Sequence, residues 1–331
     1  AFKAAFMYHQ AQKRGPGFKL AGSLEEATAM ENAPPGSPQL AILSFRKAFH
    51  GRMFGSLSTT RSKAIHKLAI PAFPWPEATF PRLQYPLEEH EAENAEEEAR
   101  CLRETEKIIT DSPIPVAAVI VEPIQSEGGD NHASANFFRQ LRALTHRLNV
   151  LLIVDEVQTG VGATGTFWAH EQWGLGPDDA PDVVTFSKKF QAAGFYHTAK
   201  LRPDAPYRNF NTWLGDPVRA YHAKAIAETI RQDGLLELVQ DTGAYVQNGL
   251  RTLIARYPGH LHNLRGKGTF VAFDLASPAM RDTFLGEMRQ LGVNMGGCGL
   301  QSVRMRPMLV FQRRHADQFL QRVETLLQQK A

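Results

Sequence analysis

The chain has 331 residues, 43% hydrophobic and 21% charged, with a formal net charge of +3. That is enough chain for a large core or two domains, and its dispersed basic residues argue against a nucleic-acid surface. The two cysteines, Cys101 and Cys298, have neither metal-ligand nor disulfide spacing, so a reducing compartment is the default. No apolar run is long enough to span a membrane, and no signal or transit peptide is visible at the start.

Residues 1–14 read as a helix with Phe2, Phe6 and Met7 on one face. This helical pattern opens without a cap or an initiator methionine, and predicts a chain entered in mid-element. Residues 15–38, with Gly, Pro, Ser and acidic residues, read as a surface excursion. AILSF at 41–45 is a short strand leading into AFHGR at 48–52. Taken alone, Phe49 fits a core aromatic and Arg52 a surface charge; His50 reads as a packed, hydrogen-bonded histidine. Residues 66–86 carry too many prolines for regular elements and predict an extended loop packed by aromatics. Glu88–Thr110 is an acidic helix with a solvated face. VAAVIVEP at 116–123 is a buried strand that hands over to QSEGGD, and Ser134 can cap the helix through FFRQLRALTHRLN.

The stretch that organises the chain is Val150–Lys189, VLLIVDEVQTGVGATGTFWAHEQWGLGPDDAPDVVTFSKK. An apolar run ends in Asp155, a Gly-rich turn and an aromatic helical segment follow, and a second β-branched run ends in Ser187-Lys188. This predicts a βαβ unit with a helix in the crossover. Asp155 and Lys188 then lie just past the C-terminal ends of two strands, the edge where open α/β sheets bind ligands. A carboxylate and an amine together suit pyridoxal phosphate (PLP), which needs a Schiff-base lysine and an acid beside its pyridinium nitrogen. A strand ending in Asp-Glu also occurs in nucleotide hydrolases, and a lysine after a strand is often a solvated loop charge. The hydrolase reading lacks its Gly-x-x-x-x-Gly-Lys-Ser/Thr loop here.

FNTWLGDP at 210–217 precedes a helix from Val218 to about Arg231. Leu235–Tyr257 reads as an amphipathic helix, LRGKGTFVAFDL as one strand entered through glycines, and about 278–291 as a helix. SVRMRPMLVF is a strand bearing Arg304 and Arg306, and a last helix starts near His315.

DEVQTG with the downstream TFSK, VEPIQSEGGDNHAS at 121–134 and FNTWLGDP together resemble the class III aminotransferases of PLP fold type I, and within them the eukaryotic 4-aminobutyrate branch. The resemblance runs along essentially the whole chain. It implies an α/β fold with a mostly parallel central sheet flanked by helices, forming a large PLP-binding domain over 1–234, and a smaller C-terminal α+β domain over 235–331. It implies transamination of 4-aminobutyrate with 2-oxoglutarate, giving succinate semialdehyde and glutamate, by a homodimer with a shared active site. Lys188 would form the Schiff base, chosen over Lys189 as the first lysine after the serine, and would carry the proton. Asp155 would keep the pyridine nitrogen protonated. Val157 and Phe49 would flank the ring, Gln158 would sit near the phenolic oxygen, and Thr212 would reach the phosphate of the partner subunit's cofactor. Arg52 would hold the carboxylate common to both substrates and Arg304 the acceptor's second one, with Glu127 covering Arg304 while 4-aminobutyrate is bound.

The resemblance also implies that the family's phosphate-binding loop lies upstream of Ala1. The Cys-x-x-Cys pair that animal relatives associate with an iron–sulfur cluster is likewise not in this sequence, which therefore reads as part of a longer enzyme. A mitochondrial matrix location is implied by the animal relatives alone. QAAGFYHTAK after Lys188 and the extension GLGPDDAP depart from the family pattern without touching a named role. Two other readings stay open: another ω-amino acid aminotransferase acting on β-alanine or an ornithine-like amine, and an inactive fragment serving only dimerisation or interaction.

Overall fold

Two sheets organise the molecule, each built from apolar runs bracketed by turn residues. The computed structural model describes residues 1–14 and 17–330. Helices α1 (Phe2–Arg14) and α2 (Leu24–Met30) precede strand β1 (Ala41–Phe45), α3 (Phe54–Thr59) and the two-residue β2 (Glu77–Ala78). Then come α4 (Glu91–Asp111), β3 (Val116–Val121), α5 (Ala135–Arg147), β4 (Leu151–Asp155), β5 (Val183–Phe186) and β6 (Gly194–His197). The chain continues through α6 (Pro217–Gln232), α7 (Leu235–Arg256), β7 (His262–Lys267), β8 (Phe270–Asp274), α8 (Pro278–Gln290), β9 (Gly296–Cys298), β10 (Ser302–Met305) and α9 (Arg313–Lys330).

The first sheet has the order β2-β1-β3-β4-β5-β6. All its pairings are parallel except β5 with β6, which is antiparallel. Strands β1, β3 and β4 are buried along their whole length, which is why they read as unbroken aliphatic runs rather than alternating ones. From β1 the chain goes first to one side, to β2, and then to the other, to β3. The order therefore reverses between β1 and β3, and the crevice beyond their C-terminal ends is the place for a ligand. AFHGR leaves β1 there, and Glu122 leaves β3 there.

Several sequence expectations need correction. The crossover from β4 to β5 carries no α-helix, only 3₁₀ turns at Ala169–Trp173 and Pro177–Asp179. Gly174, Gly176 and Pro177 cut the aromatic segment short, and Trp173 instead stacks on Phe138 of α5 at 4.1 Å. The excursion at 15–38 contains α2, started by Ser23, whose Oγ accepts the Glu26 N–H at 3.2 Å. LRGKGTFVAFDL is a hairpin, β7 and β8, rather than one strand. Its turn needs Gly268, at φ 54°, because an added Cβ would lie 2.7 Å from the Thr164 backbone.

The second sheet, β7-β8-β10-β9, is antiparallel throughout. Helices α7, α8 and α9 cover it through a core that includes Val246, Leu250, Phe273, Val303, Phe319 and Val323. The first sheet has its own core, in which Ile42, Leu43, Val119 and Ile153 meet Phe137 and Trp173.

Candidate active site

Asp155 is the last residue of β4 and is 6% exposed. Both its oxygens are held: Oδ2 lies 2.8 Å from His50 Nδ1, and Oδ1 accepts the Val157 N–H and the Thr185 hydroxyl, each at 3.1 Å. The His50 ring is fully buried and its Nε2 has no partner among the described residues. His50 is the packed, hydrogen-bonded histidine that the sequence suggests, and the structure adds its partner: the ring orients Asp155. The His50 N–H in turn donates to the Thr60 hydroxyl at 3.0 Å, which fixes the loop after β1.

Glu122 is a site residue that the sequence reading passed over. It follows β3 as Asp155 ends β4, and Val121 pairs with Val154 in the ladder, so the two acids lie side by side at one edge. Its Oε1 accepts the Phe49 N–H at 2.9 Å and its Oε2 the Ser126 N–H at 3.3 Å. Burial first, and then the charge of Asp155, push its carboxyl well above the usual range. The glutamate of VEPIQSE was visible in the sequence, but only strand register shows that it faces Asp155.

Lys188 follows β5 by two residues and takes a left-handed backbone, φ 48°. For a residue with a Cβ this costs about 1 kcal/mol, and such strain gathers at functional sites. Desolvation lowers its pKa although part of the side chain meets solvent. Arg306 and Arg304 push the same way, and Asp155 and Glu122 oppose them. Lys189 is depressed further, to about 8, by burial and by the charges of Arg306 and Lys188. Only Lys188 feels the two carboxylates, so Lys188 is the amine of this cluster.

A second group forms the far wall. Arg304, on β10, donates from Nη2 to Glu127 Oε2 at 3.1 Å. Its Nε and Nη1 are buried without partners among the described residues. Leaving a buried guanidinium wholly unpaired costs about 3–5 kcal/mol, so the two open donors ask for an anion. Glu127 also takes the Lys63 ammonium on Oε1, at 2.6 Å. Burial raises the Glu127 pKa, but Lys63 and Arg304 outweigh it and hold the carboxyl below the ordinary value. Lys63 was not legible, since it sits in a polar loop with nothing to mark it. Arg52 is exposed, its guanidinium 5.6 Å from the centre of the Phe49 ring, and the His66 ring meets Phe49 edge-on at 5.3 Å.

The structure thus brings Phe49, Asp155, Val157 and Lys188 to one edge, and Glu127 and Arg304 beside it. Gln158 is half-buried and Thr212 exposed; neither side chain has a hydrogen-bond partner among the described residues, and Thr212 makes none of the contacts that join the others. The donor set fits PLP. A fixed carboxylate can face a pyridinium nitrogen, a depressed amine stands beside it, and an arginine with open donors can take a carboxylate.

The class-III aminotransferase family matches residues 1–327. The chain belongs to the class-III aminotransferases. It is 58% identical to the 4-aminobutyrate aminotransferase of Emericella nidulans, over 99% of this chain and 66% of that protein. It is 56% identical to that of Dictyostelium discoideum with the same coverage, and 51% to the mitochondrial enzyme of Sus scrofa over 97% of this chain and 64% of the relative. The chain therefore spans about two thirds of the length of these relatives. Among solved structures, the lysine aminotransferase of M. tuberculosis superimposes with a TM-score of 0.84 at 32% identity, covering 98% of this chain and 71% of that one. The aminotransferase fold is the mixed, mostly parallel sheet with its smaller antiparallel partner described above.

Proposed function

We propose that the protein transaminates 4-aminobutyrate with 2-oxoglutarate, giving succinate semialdehyde and glutamate, with PLP as cofactor. The observation that carries the substrate assignment is the Glu127–Arg304 pair with its two open guanidinium donors. The names of the relatives support the same reading. Bound PLP supplies an electron sink for the carbon that loses a proton.

The residues divide the work by position. Lys188 would hold the cofactor through Nζ and would take and return the substrate's proton; desolvation lowers its pKa, which favours the free amine. Asp155, fixed by His50, Thr185 and the Val157 N–H, would face the ring nitrogen of the bound cofactor. Phe49 and Val157 would flank the ring, and Gln158 would lie on the side of its phenolic oxygen. Thr212 of the partner subunit contributes to the phosphate site of a homodimer. Its surroundings support that: Tyr207, Trp213, Leu214 and Tyr221 are all more than half exposed. Arg52 takes the carboxylate shared by both substrates. Arg304 takes the second carboxylate of 2-oxoglutarate or glutamate, after Glu127 has moved off it. The names of the pig and mouse relatives support a mitochondrial location.

The test is single-turnover spectroscopy of each half-reaction. Glu127→Gln should slow the reaction with 4-aminobutyrate and leave or improve the reaction with glutamate. Arg304→Lys should chiefly harm the glutamate half, because a point charge replaces a bidentate fork. Equal losses in both halves for Glu127→Gln would overturn the gate.

A further inference from the structure

Two arginines of the second sheet stand at one register. Arg265 on β7 pairs with Ala272 of β8, and Ala272 pairs on its other side with Arg304 of β10. Residues directly opposite in an antiparallel sheet project from the same face, so both guanidiniums leave one face with a small alanine between them. That face meets the Ser126–Asp130 segment, which follows β3 of the first sheet. The two arginines use it differently. Arg304 touches a side chain, Glu127, and keeps two donors without a partner among the described residues.

Arg265 instead grips the backbone. Its Nε donates to the Asp130 carbonyl at 2.9 Å and its Nη2 to the Gly129 carbonyl at 2.6 Å. Nη2 also meets Asp274 Oδ1 at 2.9 Å and the Ser302 hydroxyl at 3.0 Å, and Nη1 donates to the Asn263 carbonyl at 2.6 Å. The residue is 7% exposed. Ser302, two residues before Arg304, donates onward to Asp274 Oδ1 at 2.6 Å. The Gly299 N–H adds a bond to the carbonyl of Glu127 itself, at 3.0 Å. Close approach makes this possible: a Cβ on Gly299, at φ 53°, would lie 2.8 Å from Gly129 Cα.

We propose that Arg265 is a positioning residue that clamps the Ser126–Asp130 segment to the second sheet, so that Glu127 leaves Arg304 by side-chain rotation alone. The backbone of Glu127 and the strand that bears Arg304 then move as one body. The pair is remade in the same geometry after each half-reaction. The clamp rests on the reading of Glu127 as a gate, and its test separates the two.

In the full-length protein, Arg265→Lys keeps the charge and loses the fork. Loosening the segment withdraws Glu127 from Arg304, while β10 is still held by β8 and β9. The ratio of kcat/KM for glutamate to that for 4-aminobutyrate should therefore rise about 5-fold or more, in the direction of Glu127→Gln, and the double variant should add little to Glu127→Gln alone. Amide hydrogen exchange at Gly299 should speed up about 10-fold or more in Arg265→Lys, with or without PLP. If Arg265→Lys does not fold, Ser302→Ala loosens the same guanidinium more gently and should shift both readouts the same way. Unchanged Gly299 exchange, or a skew in Glu127→Gln that is absent from Arg265→Lys, would overturn the clamp. No skew in Glu127→Gln with faster Gly299 exchange in Arg265→Lys would sink the gate and with it the clamp's role in specificity.

Discussion

Asp155 and Lys188 were legible as single residues because each ends an apolar run at a predictable edge of the sheet. Their neighbours were not. Glu122 reaches the site through the register of β3 with β4, His50 through a loop held by Thr60, and Lys63 through a fold that brings a polar loop to Glu127. None of these placements leaves a periodic trace in the sequence. The choice between Lys188 and Lys189 shows the same limit. Lys189 is the more depressed amine, but the carboxylates at the sheet edge act on Lys188 alone. Lys188→Ala should lower turnover by about 10³-fold or more, while Lys189→Ala should retain most of it. Borohydride reduction followed by peptide mapping locates the cofactor-bearing lysine, and a label on Lys189 would reverse the assignment.

Elements were legible where one face or both faces are apolar, and less so where backbone chemistry decides. β1, β3 and β4 and the long helices stand where the sequence predicts them. The 3₁₀ turns of the β4–β5 crossover, the β7–β8 hairpin and the antiparallel β6 depend on glycine placement and on pairing partners that lie far along the chain. The segment after β3 is the sharpest case: it packs against the second sheet and buries two titratable groups with opposite demands. Burial raises Asp130 to about 7, against the attraction of Arg304, Arg306 and Arg265. Burial also lowers His132 to about 3, helped by Arg265 and Lys267. The folded chain thus holds a proton on Asp130 that the unfolded chain releases above its ordinary value of 3.8, so this contribution to stability fades as pH rises toward 7. His132 works in reverse. The unfolded chain binds a proton below 6.5 that the folded chain refuses, so stability fades as pH falls. Acidification from about pH 6.5 to about pH 4.5 should therefore favour His132→Gln and disfavour Asp130→Asn relative to the parent, by up to about 1.4 kcal/mol per pH unit each. Urea unfolding at the two pH values measures it, and parallel curves for all three proteins would contradict the buried titrations.

At the scale of the whole molecule, the residues assigned to one active site do not all meet within one chain. Asp155, Lys188, Glu127 and Arg304 converge, whereas Thr212 stands exposed in a stretch where Trp213 is 82% and Tyr221 72% exposed. A second copy that covers this stretch would bury the apolar surface and bring a Thr212 to the partner's site, so each site would draw Lys188 from one subunit and Thr212 from the other. Mixing two inactive variants tests this directly. Thr212→Glu sets a like charge against the phosphate and Lys188→Ala removes the amine. In a hybrid dimer of the two, one site would combine both defects and the other would be intact. Random reassortment makes half of the dimers hybrids, so activity should return to about one quarter of the parent's after unfolding and refolding the mixture. If Thr212 served the site of its own chain, every site in the hybrid would carry one defect, and the mixture would stay as inactive as its components.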